Sequence, residues 1–205
     1  MPDPGTPVPV HVWPDHVHLA LTELRSARAL TVLRIAAPDT TIRSAARTHI
    51  RGALCDTLGR LLDRPAASIP LRSQPGLPLA LDLPDIRIGL SLSHAEGLSV
   101  AALHRGGVVG VDVMRVSPDV LPDWAVVARD YLGPPTCDQL AAVAPAQRAL
   151  AFAQAWTRWE AGLKCLGLAL TEWTPGLAQR LALCRITPLA LPAPYCGALA
   201  TQRSA

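Results

Sequence analysis

The sequence predicts an α+β protein built from two similar subdomains with a cleft between them. Both halves of the chain combine helical periodicity with strand-like alternation of apolar and polar residues. Gly106-Gly107 provides a natural junction between the two halves. We therefore predict one subdomain over residues 1–105 and a second over 106–205, although no sequence repeat relates them.

The composition indicates a globular protein. The 205 residues are 50% hydrophobic, which suffices for one compact core or two small fused ones, and the net charge of +3 is too small to indicate nucleic-acid binding. No apolar stretch is long enough to span a bilayer, and the N-terminus lacks a signal-peptide pattern. The five cysteines show no CxxC spacing, so they indicate neither a disulfide framework nor a zinc site. We expect a cytoplasmic protein.

In the first half, we predict a strand over 10–13, a helix over 19–30 and a longer helix over 40–62. Asp39 is the candidate N-cap residue of the longer helix. Arg43, Arg47 and Arg51 recur every fourth residue and should share one face of it. A hairpin follows, with strands over 88–94 and 98–104 joined at Glu96-Gly97.

In the second half, a valine-rich run predicts a strand over 108–114, and the segment 124–167 is mainly helical. Pro145 stands near the start of the last helix of that segment, and Gly167 stands where a C′ glycine belongs. Two further strands are predicted, over 178–187 and 194–201.

The candidate site begins with three charged residues. Glu160 and Lys164 are four residues apart on a predicted helix and therefore share a face. Asp112 lies in the valine-rich strand, where burial of a carboxylate requires compensation. A divalent cation bound to a phosphorylated substrate would satisfy both carboxylates and the lysine.

Each residue also has a purely structural interpretation. Glu160 and Lys164 could form an exposed pair worth about 0.2–0.5 kcal/mol. Asp112 could cap a turn or pair with an arginine, His94 could be an ordinary strand-end histidine, and the arginine face could be merely solvated. Trp156 and Trp159 are expected to be core anchors.

Three segments taken together resemble a known family. Residues 91–95 (SLSHA), 110–114 (GVDVM) and 156–164 (WTRWEAGLK) are similar to the three signature blocks of the 4′-phosphopantetheinyl transferases of the surfactin-synthetase type. Asp39, Arg47 and Arg51 resemble the arginine-bearing helix that precedes those blocks. The order and spacing match as well as the content, and the resemblance spans residues 39–167.

The resemblance implies a pseudo-twofold α+β enzyme with its active site in the cleft. The reaction it implies is transfer of 4′-phosphopantetheine from coenzyme A to a serine of an acyl or peptidyl carrier protein, with release of 3′,5′-ADP. Mg²⁺ is the implied cofactor. No nucleic acid or membrane partner is expected, and a chain that contains both halves of the cleft could act as a monomer.

The same resemblance implies a role for each candidate residue. Asp112 and Glu160 would hold Mg²⁺ against the pyrophosphate, and Glu160 could also accept the proton of the attacking serine. Lys164 would neutralise charge on the phosphates. His94, assisted by Ser93, would hydrogen-bond a phosphate of coenzyme A. Arg47 and Arg51, with Arg28 or Arg43, would provide the positive surface for the 3′-phosphate of the nucleotide or for the acidic carrier protein.

The chain also departs from the family pattern. Met114 replaces a second acid, Leu77 replaces a lysine in a Gly-Lys-Pro loop, Trp159 replaces a lysine before the helix glutamate, and Ala95 replaces a serine. These departures support an alternative, namely a non-catalytic descendant that binds a carrier protein or coenzyme A without transferring anything.

Overall fold

The computed structural model describes residues 6–36, 43–74, 77–117 and 122–202. This part of the chain contains two β-sheets and six α-helices, so the predicted α+β class is confirmed. The strands are β1 (His11–Val12), β2 (Leu30–Ala36), β3 (Leu71–Arg72), β4 (Ala80–Leu81), β5 (Ile88–Ala95), β6 (Leu98–Arg105), β7 (Val109–Arg115), β8 (Cys184–Pro188) and β9 (Tyr195–Gln202). The helices are α1 (Val17–Arg25), α2 (Arg43–Leu62), α3 (Trp124–Val127), α4 (Pro134–Ala142), α5 (Pro145–Cys165) and α6 (Pro175–Leu181).

The larger sheet has six strands in the order β1-β2-β6-β5-β4-β3. The predicted hairpin is confirmed as the antiparallel pair β5 and β6, which are joined through Glu96-Gly97. Next to β5 on its other side, the short strand β4 pairs only through Ala80 with Gly89. In the described part of the chain, the remainder of that edge of β5 pairs with no strand through backbone hydrogen bonds.

The smaller sheet has three strands in the order β7-β9-β8 and is entirely antiparallel. Helix α5 packs across it at close range. A Cβ atom at Gly110 of β7 would lie 2.0 Å from the carbonyl oxygen of Ala161 and 2.4 Å from the amide nitrogen of Cys165. Only glycine permits this approach, which brings β7 and α5 together at the candidate site.

Two predictions in the first half were wrong in part. The helix predicted over 19–30 ends at Arg25, because Ser26 is extended and Ala29 has a φ of 52°, neither of which continues a helix. Leu30 instead begins β2, a central strand that the sequence analysis missed. Helix α2 agrees with prediction as far as it is described, and Ile50, Leu54 and Leu58 are fully buried. The predicted N-cap Asp39 lies outside the described residues.

The long helical segment of the second half is confirmed. Pro145 is the first residue of α5, and Gly167 follows its C-cap with a φ of 69°. The strand predicted over 178–187 was wrong at its start, because α6 occupies residues up to Leu181, with Thr174 as its N-cap. Within the described ranges, none of the helices is both long and apolar enough to cross a membrane.

Candidate functional site

A cavity of about 1020 Å³ opens between α2, β5, β7 and α5. It is lined by side chains from both halves of the sequence. All seven predicted site residues line it: Arg47, Arg51, Ser93, His94, Asp112, Glu160 and Lys164. The structure thus brings together residues from Arg47 to Lys164, which are far apart in the sequence.

Asp112 is the innermost acid of the cavity. Its residue is 6% exposed, on the face of β7 that meets α5. Glu160 and Lys164 reach the same place from successive turns of α5, as their spacing predicted. The ammonium of Lys164 lies 2.8 Å from Asp112 Oδ1 and 3.9 Å from Glu160 Oε2. The lysine compensates the buried carboxylate that the valine-rich strand would otherwise disfavour.

Two serine hydroxyls join β5 to β7 where the two sheets meet. Ser91 Oγ accepts the backbone N–H of Val111 at 3.0 Å, and Ser93 Oγ accepts that of Val113 at 3.2 Å. Ser93 also donates its hydroxyl proton to Asp112 Oδ1 at 2.7 Å. We call this set of side-chain hydrogen bonds the serine seam. It fixes the metal-ligand candidate Asp112 relative to the larger sheet.

Lys164 extends across the same seam. Its Nζ donates to the carbonyl of Val111 in β7 at 3.1 Å and lies 3.4 Å from the carbonyl of Leu92 in β5. Together with Asp112 Oδ1, these oxygens give the ammonium three acceptors. Both described side-chain contacts of Asp112, from Ser93 and from Lys164, go to the same oxygen, Oδ1.

The electrostatics of the cavity favour the neutral form of Glu160. Burial raises the pKa of this carboxyl, the negative charge of Asp112 raises it further, and the nearby ammonium of Lys164 partly opposes both effects. A glutamate with a raised pKa is a better proton acceptor than an exposed one. The site therefore contains a carboxylate suited to general-base chemistry.

The positive side of the cavity is formed by α2. Arg47 is exposed, and Arg51 donates to the carbonyl of Leu71 at 3.3 Å. His94 lies one residue before the end of β5, near the predicted strand end, and its Nδ1 is 2.8 Å from Ser99 Oγ. Two guanidinium groups and an imidazole thus line the same cavity as the acids, a set of groups suited to a ligand with several phosphates.

The residues that depart from the family pattern lie in different parts of the structure. Met114 and Leu77 line the cavity, and Leu77 is 60% exposed. Trp159 packs instead in two hydrophobic clusters beside α5 and is not among the cavity-lining residues. Trp156 stacks on Phe152 with ring centroids 5.9 Å apart, as expected of a core anchor, and also lines the cavity.

The sequence analysis missed the partners that hold the predicted residues. Ser91 and the carbonyl of Leu92 were not predicted to be part of the site. The signal for Ser91 was its alternation with Ser93 between leucines of a strand, which places two hydroxyls on one face of that strand. Ser99, the partner of His94, carried no comparable signal.

The donor set fits a hard divalent cation that shares its coordination with a substrate. Asp112 and Glu160 supply two carboxylates to the lining of one cavity. The charge of Asp112 contributes to the raised pKa of Glu160, so the two groups lie within electrostatic reach of each other. Within the described residues there is no cluster of three or more His, Cys, Asp and Glu. Mg²⁺ commonly takes one or two protein carboxylates and completes its octahedron with waters and phosphate oxygens.

Comparison with known proteins gives a result for the C-terminal half. Residues 108–204 match the model of the 4′-phosphopantetheinyl transferase superfamily. The matched range begins at β7 and contains the three charged residues Asp112, Glu160 and Lys164. No curated protein matches the chain.

Proposed function

We propose that this protein transfers 4′-phosphopantetheine from coenzyme A to a serine hydroxyl of an acyl or peptidyl carrier protein and releases 3′,5′-ADP. One observation carries the proposal: seven residues chosen from sequence motifs line a single cavity, among them two carboxylates and two arginines. The superfamily match over residues 108–204 supports phosphopantetheine transfer as the general chemistry.

In the proposed reaction, the serine oxygen attacks the β-phosphorus of coenzyme A. A new P–O bond forms, the bond between phosphorus and the bridging pyrophosphate oxygen breaks, and 3′,5′-ADP leaves. Glu160 accepts the serine proton, directly or through a water, and the raised pKa of its carboxyl suits that role. Mg²⁺, held by Asp112 and Glu160, would supply charge stabilisation to the pyrophosphate.

Arg47 and Arg51 are proposed to bind the phosphates of the nucleotide or the acidic carrier. His94 is proposed as a further phosphate ligand. Ser93 was expected to assist it, but the serine hydroxyl already contacts Asp112 and Val113, which favours a role in holding Asp112.

We also propose that the two sheets correspond to two pseudo-twofold subdomains, residues 1–105 and 106–205. Every strand of the larger sheet ends by Arg105, and every strand of the smaller sheet begins at or after Val109. The cavity is lined from both parts, which favours an enzyme that works as a monomer. We propose that it acts in the cytoplasm.

The alternative is a carrier-binding or coenzyme-A-binding protein without transferase activity. It is favoured by the positions of Met114 and Leu77, because both line the cavity where the family pattern has an acid and a lysine. Trp159 no longer supports this alternative, since its side chain packs outside the cavity lining.

A test by intact mass separates the two functions. A panel of apo carrier proteins is incubated with this protein, coenzyme A and Mg²⁺, and the mass of each carrier is measured. We expect one phosphopantetheine to be added to at least one carrier and the addition to disappear in EDTA. No addition to any carrier, while an active control transferase modifies them all, would favour the binding function.

The arginine face gives a second prediction. Arg47→Ala should raise the KM for coenzyme A by about tenfold and leave kcat nearly unchanged, because a charge-assisted contact to phosphate contributes about 1.5–3 kcal/mol. Steady-state kinetics at several salt concentrations measure the effect, which should shrink at high salt.

Arg60→Ala is the matched control for Arg47→Ala. Arg60 lies on the same helix and pairs with Asp56, away from the cavity. Equal KM values for the two variants would show that Arg47 does not contribute to coenzyme A binding.

A further inference from the structure

The position of the Lys164 ammonium conflicts with simple cation binding at the two acids. Its three acceptors are Asp112 Oδ1, the Val111 carbonyl and, at the longest distance, the Leu92 carbonyl. An ammonium has three N–H groups, so each of them can donate to one of these three protein oxygens. In this arrangement the lysine already serves as the counterion of the buried carboxylate.

A divalent cation would need the same negative charge. It would lie against Asp112 and Glu160, and Lys164 contacts the first at 2.8 Å and approaches the second at 3.9 Å. Like charges in a partly desolvated site repel strongly, since the surrounding dielectric is far below that of water. The side chain of Lys164 is 27% exposed, so it is partly free to turn towards the open cavity.

The cavity supplies the place to which the ammonium could turn. Lys164 lines it together with Arg47 and Arg51. A phosphate oxygen would be a new acceptor for the lysine and would free Asp112 for the metal ion.

We propose that Lys164 is an internal counterion that competes with the divalent cation for Asp112 and is released by the phosphates of coenzyme A. This inference rests on the proposed metal-dependent transfer. It makes Lys164 a positioning residue that couples two binding events: the metal ion binds weakly to the free protein and tightly once coenzyme A is present. Lysine removal should therefore have opposite effects on metal binding and on turnover.

The test measures Mn²⁺ binding directly, from the electron paramagnetic resonance signal of the free ion, without any carrier protein and hence without turnover. For the wild type we expect weak Mn²⁺ binding that tightens on addition of coenzyme A. For Lys164→Met we expect Mn²⁺ to bind about tenfold more tightly in the absence of coenzyme A, with little further tightening when it is added. Transfer to a carrier should fall in the same variant.

Arg158→Met is the matched control. Arg158 is an exposed cation on the same helix and does not line the cavity, so its loss changes the net charge of the protein equally. Its Mn²⁺ affinity should stay within twofold of the wild-type value. Lys164→Gln, which keeps two N–H donors for the backbone carbonyls, provides a second variant should the methionine variant fail to fold.

The outcomes separate the two proposals. If the wild type binds Mn²⁺ with coenzyme A present but Lys164→Met and Lys164→Gln bind it no more tightly in the absence of coenzyme A, the competition is overturned and the transferase proposal stands. If the wild type binds no Mn²⁺ even with coenzyme A, the metal-dependent transfer itself is contradicted, and the inference fails with it.

Discussion

Glu160→Gln should lower phosphopantetheine transfer by at least about a hundredfold and at the same time stabilise the folded protein at neutral pH. The loss of transfer follows because glutamine can neither accept the serine proton nor provide a carboxylate to the metal ion. The gain in stability follows because burial and the charge of Asp112 raise the pKa of Glu160. The ionised form of Glu160 therefore destabilises the folded state, and glutamine removes that charge. Carrier mass and thermal unfolding measure the two effects.

The sign of the pH dependence is fixed by the direction of that shift. A carboxyl with a folded pKa above its ordinary 4.5 contributes stability below that value, and the contribution is lost as the pH rises through the folded pKa. The stabilisation by Glu160→Gln should therefore be present at pH 7–8 and vanish below about pH 4.5. Each kcal/mol gained would raise Tm by about 2–4 °C in a chain of this size.

Glu172→Gln is the control, because Glu172 is exposed and lies outside the cavity lining. It should change neither transfer nor Tm. A Glu160→Gln protein that transfers at the wild-type rate would show that another group takes the serine proton, even if the reaction class is right.

Gly110→Ala should destabilise the folded protein more than the addition of a single methyl group anywhere else in the second half of the chain. The added Cβ would meet the backbone carbonyl of Ala161 and the backbone amide of Cys165, and neither can move aside by a change of rotamer. Overpacking of this kind costs about 1–3 kcal/mol and more where backbone is displaced. We expect a lower denaturation midpoint in urea, together with loss of transfer, because Asp112 on β7 would move away from Glu160 on α5.

Gly52→Ala provides the opposite case. Gly52 lies inside α2, and nothing stands within 4 Å of a Cβ built there. Replacing a helix-interior glycine by alanine stabilises by about 0.5–1 kcal/mol. A Gly110→Ala protein that unfolds at the wild-type urea concentration would show that the contact between β7 and α5 can relax.

The residues with local signals were predictable from the sequence. The β5–β6 hairpin followed from the alternation in residues 88–94 and from the turn at Glu96-Gly97, and α5 followed from its periodicity and from Pro145 and Gly167 at its ends. Helix positions four apart also placed Glu160 beside Lys164, because that contact depends on helix geometry alone.

The errors arose where local preference and tertiary context disagree. Strand β2 follows α1 after only four residues, and its apolar residues continue the helical pattern of α1 well enough to hide the boundary. Helix α6 has only seven residues, which is too few for helical periodicity to be distinguished from that of a strand. The contact of Lys164 with Leu92 depends on how two sheets meet and has no signature in residue spacing.

The serine seam has a further consequence for the alignment of the two sheets. Because side chains alternate between the faces of a strand, sliding β7 along β5 by one residue would place the N–H groups of Val111 and Val113 opposite leucines, whose side chains point to the other face of β5 and offer no acceptor. Those amides would then be buried without an acceptor, at a cost of about 1–3 kcal/mol each. The two hydroxyls thus fix the alignment of β7 against β5, and a shift of a single residue would be destabilising.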